Sequence, residues 1–197
     1  MQYIALEGIP GGGKTSIVEH LGTILGDDVH VVDEHILTDE DLTDFTRDNP
    51  GKEDAYRLNW LIKDSVIQLY NYKKYVVTDR CFITAVAYAY SLSKCCNDTR
   101  LYDDALSWCN TAIKNGSLHI PEHCIVLDVN PGISNTRKRR KESEDMLWSQ
   151  SDALACASEF YTSVLPTLPN LYKKLFIIDS LDDSLNEVKC RVEQILL

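Results

Sequence analysis

The chain has 197 residues, 44% of them hydrophobic, which is enough for one globular domain with a full core. Thirty acidic residues against 20 basic ones give a net charge of −10, so no surplus of positive charge drives binding to nucleic acid or to an anionic membrane. No apolar run approaches the length of a membrane span, and a predicted strand begins almost at once, without room for a signal peptide. We therefore expect a soluble, intracellular protein.

The cysteines favour a reducing, cytoplasmic compartment. There are seven, an odd number, and none lies in a C-x-x-C pair, so no disulfide framework is expected. Cys95 and Cys96 are adjacent in a polar segment and are the cysteines expected to react most readily. The others stand mostly among apolar neighbours, as free core cysteines do: Cys81, Cys109, Cys124, Cys156 and Cys190.

The first predicted elements enclose a phosphate-binding motif. Residues 8–15 read GIPGGGKT and fit the pattern G-x-x-x-x-G-K-[ST] at every fixed position. A short apolar strand is predicted over 2–7, and helical spacing of apolar residues predicts a helix over 14–25. Glycines allow successive N–H groups to turn inward around an anion, and the following helix directs its positive end at the same anion. This context disfavours a glycine-rich turn that binds nothing, and it predicts a site for a nucleoside triphosphate.

Each part of the motif has a predicted role. Lys14 is expected to reach the outer phosphates as a mobile charge, and the Thr15 hydroxyl is placed to hold Mg²⁺. The residues predicted to bind the triphosphate are Gly8, Gly11, Gly12, Gly13, Lys14, Thr15 and Ser16.

The rest of the chain alternates strands with helices, without repeats or low-complexity linkers. Further strands are predicted over 29–32, 75–78, 124–129 and 175–178. Helices are predicted over 52–72, 82–92, 101–114 and 146–165, from Pro131 into a basic cluster, and from Leu181 to Ile195. A connector is predicted at 93–99, and the weakly patterned segment 36–48 is interpreted as containing a short helix. This alternation predicts a single α/β domain over 1–197, with a five-stranded parallel sheet covered by helices on both faces.

Ligands of such sheets bind beyond the carboxyl ends of the strands, where Gly8, Glu34 and Asp79 should face one crevice. Asp79 can hold the Mg²⁺ shell opposite Thr15, while Arg80 can contact a transferring or acceptor phosphate. The alternative is that Asp79 and Arg80 only form an ion pair at the end of the strand and have no catalytic role. Asp128 is a competing metal carboxylate, although its position before Val-Asn-Pro is more typical of a turn or helix N-cap.

Two acids, Asp33 and Glu34, follow the second strand. Glu34 is the favoured general base for a substrate hydroxyl, against the alternative of a solvated loop carboxylate. The basic cluster from Arg137 to Lys141 is the one concentrated positive patch, and it predicts a short lid over about 137–145 that closes over the triphosphate. Arg137 and Arg140 share a helical face and are expected to contact phosphate, unless the cluster is only a solvated helix face.

These residues together resemble the thymidylate kinase and deoxynucleoside kinase superfamily of P-loop kinases, over nearly the whole chain. Glu7-Gly8 opens the loop as in that group. Residues 79–89, DRCFITAVAYA, are similar to the thymidylate kinase pattern D-R-Y-x-x-S-x-x-A-Y-Q, and 127–131, LDVNP, resemble the L-D-V-x-P segment that enters its lid. The residues expected to bind the substrate are Glu34, Trp60, Lys63, Arg80, Thr84 and Tyr88. The aromatic residues Tyr56, Trp60, Tyr88 and Tyr90 are core residues by default, with the alternative that one or two of them stack on a base.

The chain also departs from both families. Thymidylate kinases usually show R-E-P after the second strand, whereas this chain has Asp33-Glu34-His35 and so lacks the arginine that helps to hold an acceptor monophosphate. Ala89 replaces the Gln of the A-Y-Q pattern. Lys63 stands near the position where a thymidylate kinase has a base-reading arginine, and lysine cannot make the same bidentate contact. The E-R-S of deoxynucleoside kinases appears as Asp79-Arg80-Cys81.

The sequence therefore predicts an ATP- and Mg²⁺-dependent kinase for the 5′-hydroxyl of a deoxynucleoside, with a pyrimidine such as thymidine as the expected substrate. The nearest alternative is a nucleoside monophosphate kinase of the thymidylate kinase type, and a more distant one is a nucleotide-dependent switch or interaction module. No nucleic-acid or membrane partner is expected, and a homodimer remains an open alternative. The predicted catalytic residues are Lys14, Glu34, Asp79, Arg80, Arg137 and Arg140, and the predicted metal ligands are Thr15 and Asp79.

Overall fold

A computed structural model of the chain describes residues 1–34, 52–137, 150–180 and 184–196. The predicted short helix within 36–48, Arg140 with most of the predicted lid, and Leu181 lie outside the described residues. Within the described part of the chain, no helix is both long enough and apolar enough to cross a membrane.

The strands form one parallel sheet. They are β1 (Gln2–Glu7), β2 (Val29–Val32), β3 (Tyr75–Asp79), β4 (His123–Asp128) and β5 (Lys174–Asp179). Their order across the sheet is β2-β3-β1-β4-β5, and each neighbouring pair is parallel. The register pairs Leu6 of β1 with both Asp79 of β3 and Ile125 of β4, so the phosphate loop that follows β1 emerges between β3 and β4.

The helices are α1 (Lys14–Leu25), α2 (Lys52–Leu69), α3 (Ile83–Cys96), α4 (Arg100–Lys114), α5 (Pro131–Arg137), α6 (Ser151–Glu159) and α7 (Leu185–Leu196). A π-helical turn, Phe160–Val164, continues α6. The alternation of helices with parallel strands confirms the predicted α/β fold.

Alternate residues of the central strands enter two separate cores. In β1, Ile4 and Leu6 pack with the apolar faces of α1 and α7. Tyr3 and Ala5 point the other way and pack with residues of α2, α3, α4 and α6. Because both faces of the strands are buried, their sequences are continuously apolar rather than alternating. The helices therefore cover the sheet on both faces, as predicted.

Three predicted helix ends are wrong. The helix predicted over 52–72 ends at Leu69. The helix predicted to stop at Leu92 continues to Cys96, because Ser93 is buried and its hydroxyl accepts a hydrogen bond of 3.1 Å from the N–H of Tyr102 in α4. It ends at Asn97, whose φ of 51° is the left-handed conformation common at helix C-termini. The helix predicted to run to Leu165 ends as an α-helix at Glu159 and passes into the π-helical turn.

The buried side of α2 differs from the side that its sequence indicates. Apolar residues at helical spacing within 52–72, among them Trp60, Val66 and Leu69, predict a buried side that includes Leu69. Leu69 is instead 71% exposed, whereas Asn59, Lys63 and Asp64 are buried. These polar positions follow helical spacing but carry no apolar signal, so periodicity could not find them. A similar error concerns Cys190, which is exposed on α7 rather than in the core.

Candidate active site

The phosphate loop has the backbone conformation that its glycines allow. Gly13 precedes α1 with a φ of 88°, which leaves the first N–H groups of the helix directed at the loop. Gly8 has a φ of 121°, and a Cβ there would lie 2.4 Å from the carbonyl oxygen of Leu127 at the end of β4. The loop therefore packs against β4 so closely that only glycine fits at its first position.

Lys14 is folded back onto this loop. Its Nζ donates hydrogen bonds of 3.0 Å to the carbonyl oxygens of Gly8 and Ile9, and the residue is only 6% exposed. Burial lowers the pKa of Lys14, and the nearby guanidinium of Arg80 lowers it further, against the opposing effect of acidic neighbours. Because burial disfavours the charged form of Lys14, a bound anion would stabilise that form, so the ammonium is suited to bind a phosphate.

The side chains of Thr15 and Asp79, the two predicted metal ligands, lie in contact. The hydroxyl of Thr15 donates a hydrogen bond of 2.6 Å to Oδ2 of Asp79, across the carboxyl ends of β1 and β3. The other carboxylate oxygen of Asp79, Oδ1, is buried and has no hydrogen-bond partner among the described residues. A buried unpaired carboxylate oxygen beside a hydroxyl is an oxygen donor set that fits Mg²⁺.

The residue after Asp79 brings the predicted base into the site. Arg80 has a φ of 66°, a conformation rare for residues other than glycine. Its side chain turns back to the loop, where Nη1 donates a hydrogen bond of 2.9 Å to the carbonyl oxygen of Gly8, while Nε lies 2.7 Å from Oε1 of Glu34. Burial opposes the charge of Arg80, but the carboxylate of Glu34 and other acidic neighbours raise its pKa above the usual value.

A buried acid contacts the turn between β3 and α3, directly after Arg80. Glu7, at the end of β1, is fully buried. Its Oε1 accepts a hydrogen bond of 2.8 Å from the N–H of Cys81, and its Oε2 accepts bonds of 2.8 Å from the hydroxyls of Thr84 and Tyr161. Glu7 thus joins β1, the β3–α3 turn and the π-helical turn after α6. In the sequence Glu7 directly follows a run of apolar residues, and this pattern does not distinguish it from an ordinary polar residue at the end of a strand.

Lys63, which the sequence assigned to the substrate, is committed to the backbone. Its Nζ donates hydrogen bonds of 2.5 Å to the carbonyl oxygen of Asp33, 3.2 Å to that of Glu34 and 2.7 Å to that of Asp79. These three carbonyls stand at the ends of β2 and β3. Lys63 therefore ties the segment that carries the predicted base to the segment that carries the predicted metal carboxylate. Burial lowers its pKa from 10.5 to about 8.

Lys63→Met should change how stability depends on pH. From about pH 8 to about pH 10.5 the unfolded chain binds the proton of Lys63 more tightly than the folded chain, so the free energy of unfolding rises with pH. This gain is present above the unfolded pKa and is lost as pH falls through the folded pKa. Between about pH 7.5 and pH 9.5 the wild type should gain about 2 kcal/mol relative to Lys63→Met.

Urea unfolding of both proteins at the two pH values measures this difference, and titration of groups remote from Lys63 cancels from it. The matched control is Lys74→Met, because Lys74 is exposed and its replacement should track the wild type at both pH values. An equal stability difference between wild type and Lys63→Met at both pH values would contradict the expected titration.

The remaining predicted site residues differ in exposure. Trp60 is 4% exposed and belongs to the larger core, with its ring centroid 5.6 Å from Nζ of Lys63. Thr84 is partly buried and its hydroxyl contacts Glu7, while Tyr88 is partly exposed one helical turn further along α3. Arg137 is the last residue of α5, and Ser16 is partly exposed in the first turn of α1.

Two polar residues of the segment after β4, Asn130 and Ser134, are not among the predicted site residues. The buried hydroxyl of Ser134 in α5 donates a hydrogen bond of 2.5 Å to the carbonyl oxygen of Pro10, which ties the loop to the helix that ends at Arg137. At the start of α5 the side chain of Asn130 accepts a hydrogen bond of 2.8 Å from the N–H of Gly132.

Asn130, and not Asp128, therefore caps the N-terminus of α5, and the capping role expected of Asp128 is wrong. The side chain of Asp128 instead accepts a hydrogen bond of 3.3 Å from the hydroxyl of Ser158.

Comparison with known proteins identifies the fold. No known protein family and no curated protein matches the sequence. Deoxyadenosine kinase from M. mycoides with bound dATP aligns over 100% of both chains, with a TM-score of 0.72 and 15% identity. The same enzyme with products dCMP and dCDP bound aligns over 99% of this chain and 98% of that one, with a TM-score of 0.73 and 14% identity.

Thymidylate kinase from Candida albicans is similar too, with a TM-score of 0.70 and 16% identity over 99% of this chain and 90% of that one. The agreement over whole chains confirms the predicted fold class, that of the P-loop nucleoside and nucleotide kinases.

Proposed function

We propose that this chain, which has the P-loop nucleoside and nucleotide kinase fold, transfers the γ-phosphoryl group of ATP to the 5′-hydroxyl of a deoxynucleoside, a pyrimidine such as thymidine. The observation that carries the proposal is the meeting of Lys14, Thr15, Glu34, Asp79 and Arg80 at the carboxyl ends of β1, β2 and β3. These groups supply phosphate binding, a metal carboxylate, a base and a charge-stabilising guanidinium, which phosphoryl transfer requires.

In this mechanism the loop amides and Lys14 hold the triphosphate. The ammonium exchanges the carbonyl oxygens of Gly8 and Ile9 for phosphate oxygens. Thr15 and Asp79 would hold Mg²⁺, which neutralises charge on the phosphates when it is bound. Glu34 accepts the proton of the 5′-hydroxyl as that oxygen attacks, and Arg80 stabilises the developing negative charge. Arg137 and Arg140 are proposed to close over the phosphates as a lid.

The nearest competing function is transfer to a nucleoside monophosphate. A monophosphate brings about two negative charges and needs cations to receive them. Of the described cations beside Glu34, Lys63 donates to three carbonyl oxygens and Arg80 is paired with Glu34 and bonded to Gly8. The exposed side chain of Asp33 adds a negative charge at the same strand end. Because both cations already have partners in the protein and Asp33 is negatively charged, the site favours a neutral hydroxyl as acceptor.

Steady-state assays with ATP and each nucleoside or its monophosphate, at matched Mg²⁺, test this choice. Thymidine and deoxycytidine should show higher kcat/KM than dTMP and dCMP, because neither nucleoside has to bring a charged group to Asp33. Asp33→Asn should raise kcat/KM for the monophosphates several-fold, by about the 1 kcal/mol that an exposed charge contributes, and should change the nucleoside values little.

A clear preference of the wild type for dTMP would overturn the nucleoside assignment and favour an enzyme of the thymidylate kinase type. Including deoxyadenosine in the panel tests the pyrimidine preference separately. ATP hydrolysis that is slow and independent of every acceptor would favour a nucleotide-dependent switch instead.

A further inference from the structure

The buried carboxylate of Glu7 is not explained by folding alone. Removing an ionised carboxylate from water costs several kcal/mol, and hydrogen bonds recover that cost only when the geometry is good. A well-packed apolar side chain at this strand end would avoid the cost. The 2.8 Å bonds from Cys81, Thr84 and Tyr161 instead hold three chain segments in one fixed arrangement: β1, the β3–α3 turn with the start of α3, and the π-helical turn.

That arrangement surrounds Arg80. The N–H of Arg80 donates a hydrogen bond of 2.9 Å to the carbonyl oxygen of Leu6, and the next N–H, that of Cys81, donates to Glu7. Two successive residues of β1 thereby hold the two peptide groups around Arg80. A left-handed conformation is unfavourable for a residue other than glycine and persists only where its surroundings impose it. At Arg80, with its φ of 66°, Glu7 supplies part of that constraint.

The direction of the Arg80 side chain follows from this backbone. Because of its left-handed conformation the guanidinium turns back over the loop, where Nη1 contacts Gly8 and Nε lies against Glu34. Thr84 strengthens the link, since its hydroxyl donates to Glu7 and lies 3.5 Å from Nη1 of Arg80. Tyr161 reaches Glu7 from a π-helical turn, an element that occurs often at functional sites.

We propose that Glu7 is a positioning residue for phosphoryl transfer, which holds the Asp79-Arg80-Cys81 turn so that the guanidinium of Arg80 faces the transferring phosphoryl group. This inference rests on the proposed kinase function. Glu7 itself touches no substrate; it acts through Arg80.

Glu7→Leu removes the acceptor and should lower kcat about 100-fold, the scale of loss expected when a catalytic group is displaced by about 1 Å. ATP affinity, measured separately by equilibrium binding, should change by less than about threefold, because the loop amides and Lys14 remain. Glu7→Gln keeps an acceptor for the N–H of Cys81 and should lose less than about tenfold in kcat.

A double-mutant cycle on kcat separates positioning from a general loss of structure. In an Arg80→Met background, where no guanidinium remains to be positioned, Glu7→Leu should lower kcat by less than about threefold. Losses that multiply independently in the double variant would overturn the inference, as would an unchanged kcat in Glu7→Leu.

Tyr161→Phe provides the same test if Glu7→Leu does not fold. It removes one of the donors to Glu7 and should lower kcat about fivefold in the wild type but not in the Arg80→Met background. Tyr172→Phe is its matched control, because that buried tyrosine donates instead to the carbonyl oxygen of Pro166, at 3.2 Å. Equal effects of the two tyrosine substitutions on kcat would count against positioning.

The outcomes also separate this inference from the proposed function. A folded wild-type protein that transfers phosphoryl to no nucleoside or monophosphate overturns the kinase function, and this role of Glu7 with it. A wild-type kinase whose Glu7 and Tyr161 variants keep full kcat overturns the positioning role alone.

Discussion

Replacing Lys14 by alanine should lower the rate of phosphoryl transfer by about 10³-fold or more. The ammonium rests on the carbonyl oxygens of Gly8 and Ile9, at the mouth of the loop whose amides receive the phosphates. It is the charge that can follow the outer phosphates as the transferred group moves. Without it, the developing negative charge in the transition state loses one of its few mobile partners.

The same substitution should leave the fold intact. Burial of the Lys14 ammonium is unfavourable before a phosphate arrives, as its lowered pKa indicates, so its removal takes away a cost of folding along with two hydrogen bonds. Circular dichroism and thermal unfolding, measured beside ATP consumption, check this. The matched control is Lys114→Ala, which removes the same charge from an exposed position at the end of α4. Near-normal turnover in folded Lys14→Ala would end the kinase interpretation.

Glu34→Gln should lower kcat by about 10²–10⁴-fold, the range that a general base contributes. Glutamine has nearly the same shape but cannot accept the proton of the 5′-hydroxyl, and its neutral amide gives up the ion pair of 2.7 Å with Arg80. Binding of ATP should be nearly unchanged, because the triphosphate is held by the loop and not by β2.

The pH dependence of kcat distinguishes a base from a residue that only orients Arg80. In the wild type, kcat should fall at acidic pH as a carboxylate base becomes protonated, and in Glu34→Gln this acidic limb should disappear. The adjacent acid supplies the control, because Asp33→Asn removes a neighbouring carboxylate and should keep the acidic limb. An acidic limb that persists in Glu34→Gln would show that the proton is accepted elsewhere.

The phosphate loop was predictable because its chemistry depends on neighbours in the chain. Gly8, Gly13, Lys14 and Thr15 lie within eight consecutive positions, between a strand and a helix, and that local order is sufficient to form an anion site. The parallel sheet was predictable for a similar reason, since the alternation of apolar strands with helices leaves few other folds. The contact of Thr15 with Asp79 then followed from two strand ends at one edge of the sheet.

Interactions between distant segments could be decided only by tertiary structure. Tyr161 reaches Glu7 across 154 positions of sequence, through a π-helical turn that no periodicity indicates. Lys63 was placed near the base of the substrate by family resemblance, but the carbonyl oxygens it contacts belong to the two residues after β2 and to the last residue of β3. Such contacts depend on the exact approach of strand ends, to within a fraction of an ångström.

A sequence thus determines chemistry that is local and patterns that repeat, because backbone conformation and apolar periodicity are encoded by adjacent residues. The sequence of this chain determined a phosphate loop and a sheet covered on both faces. Only the folded chain decided which buried charges lie beside the candidate site: Glu7 accepts a hydrogen bond from the N–H that follows Arg80, and Lys63 donates to carbonyl oxygens at the ends of β2 and β3. Buried polar residues interrupt the apolar pattern instead of following it, and their partners become close only when the sheet forms.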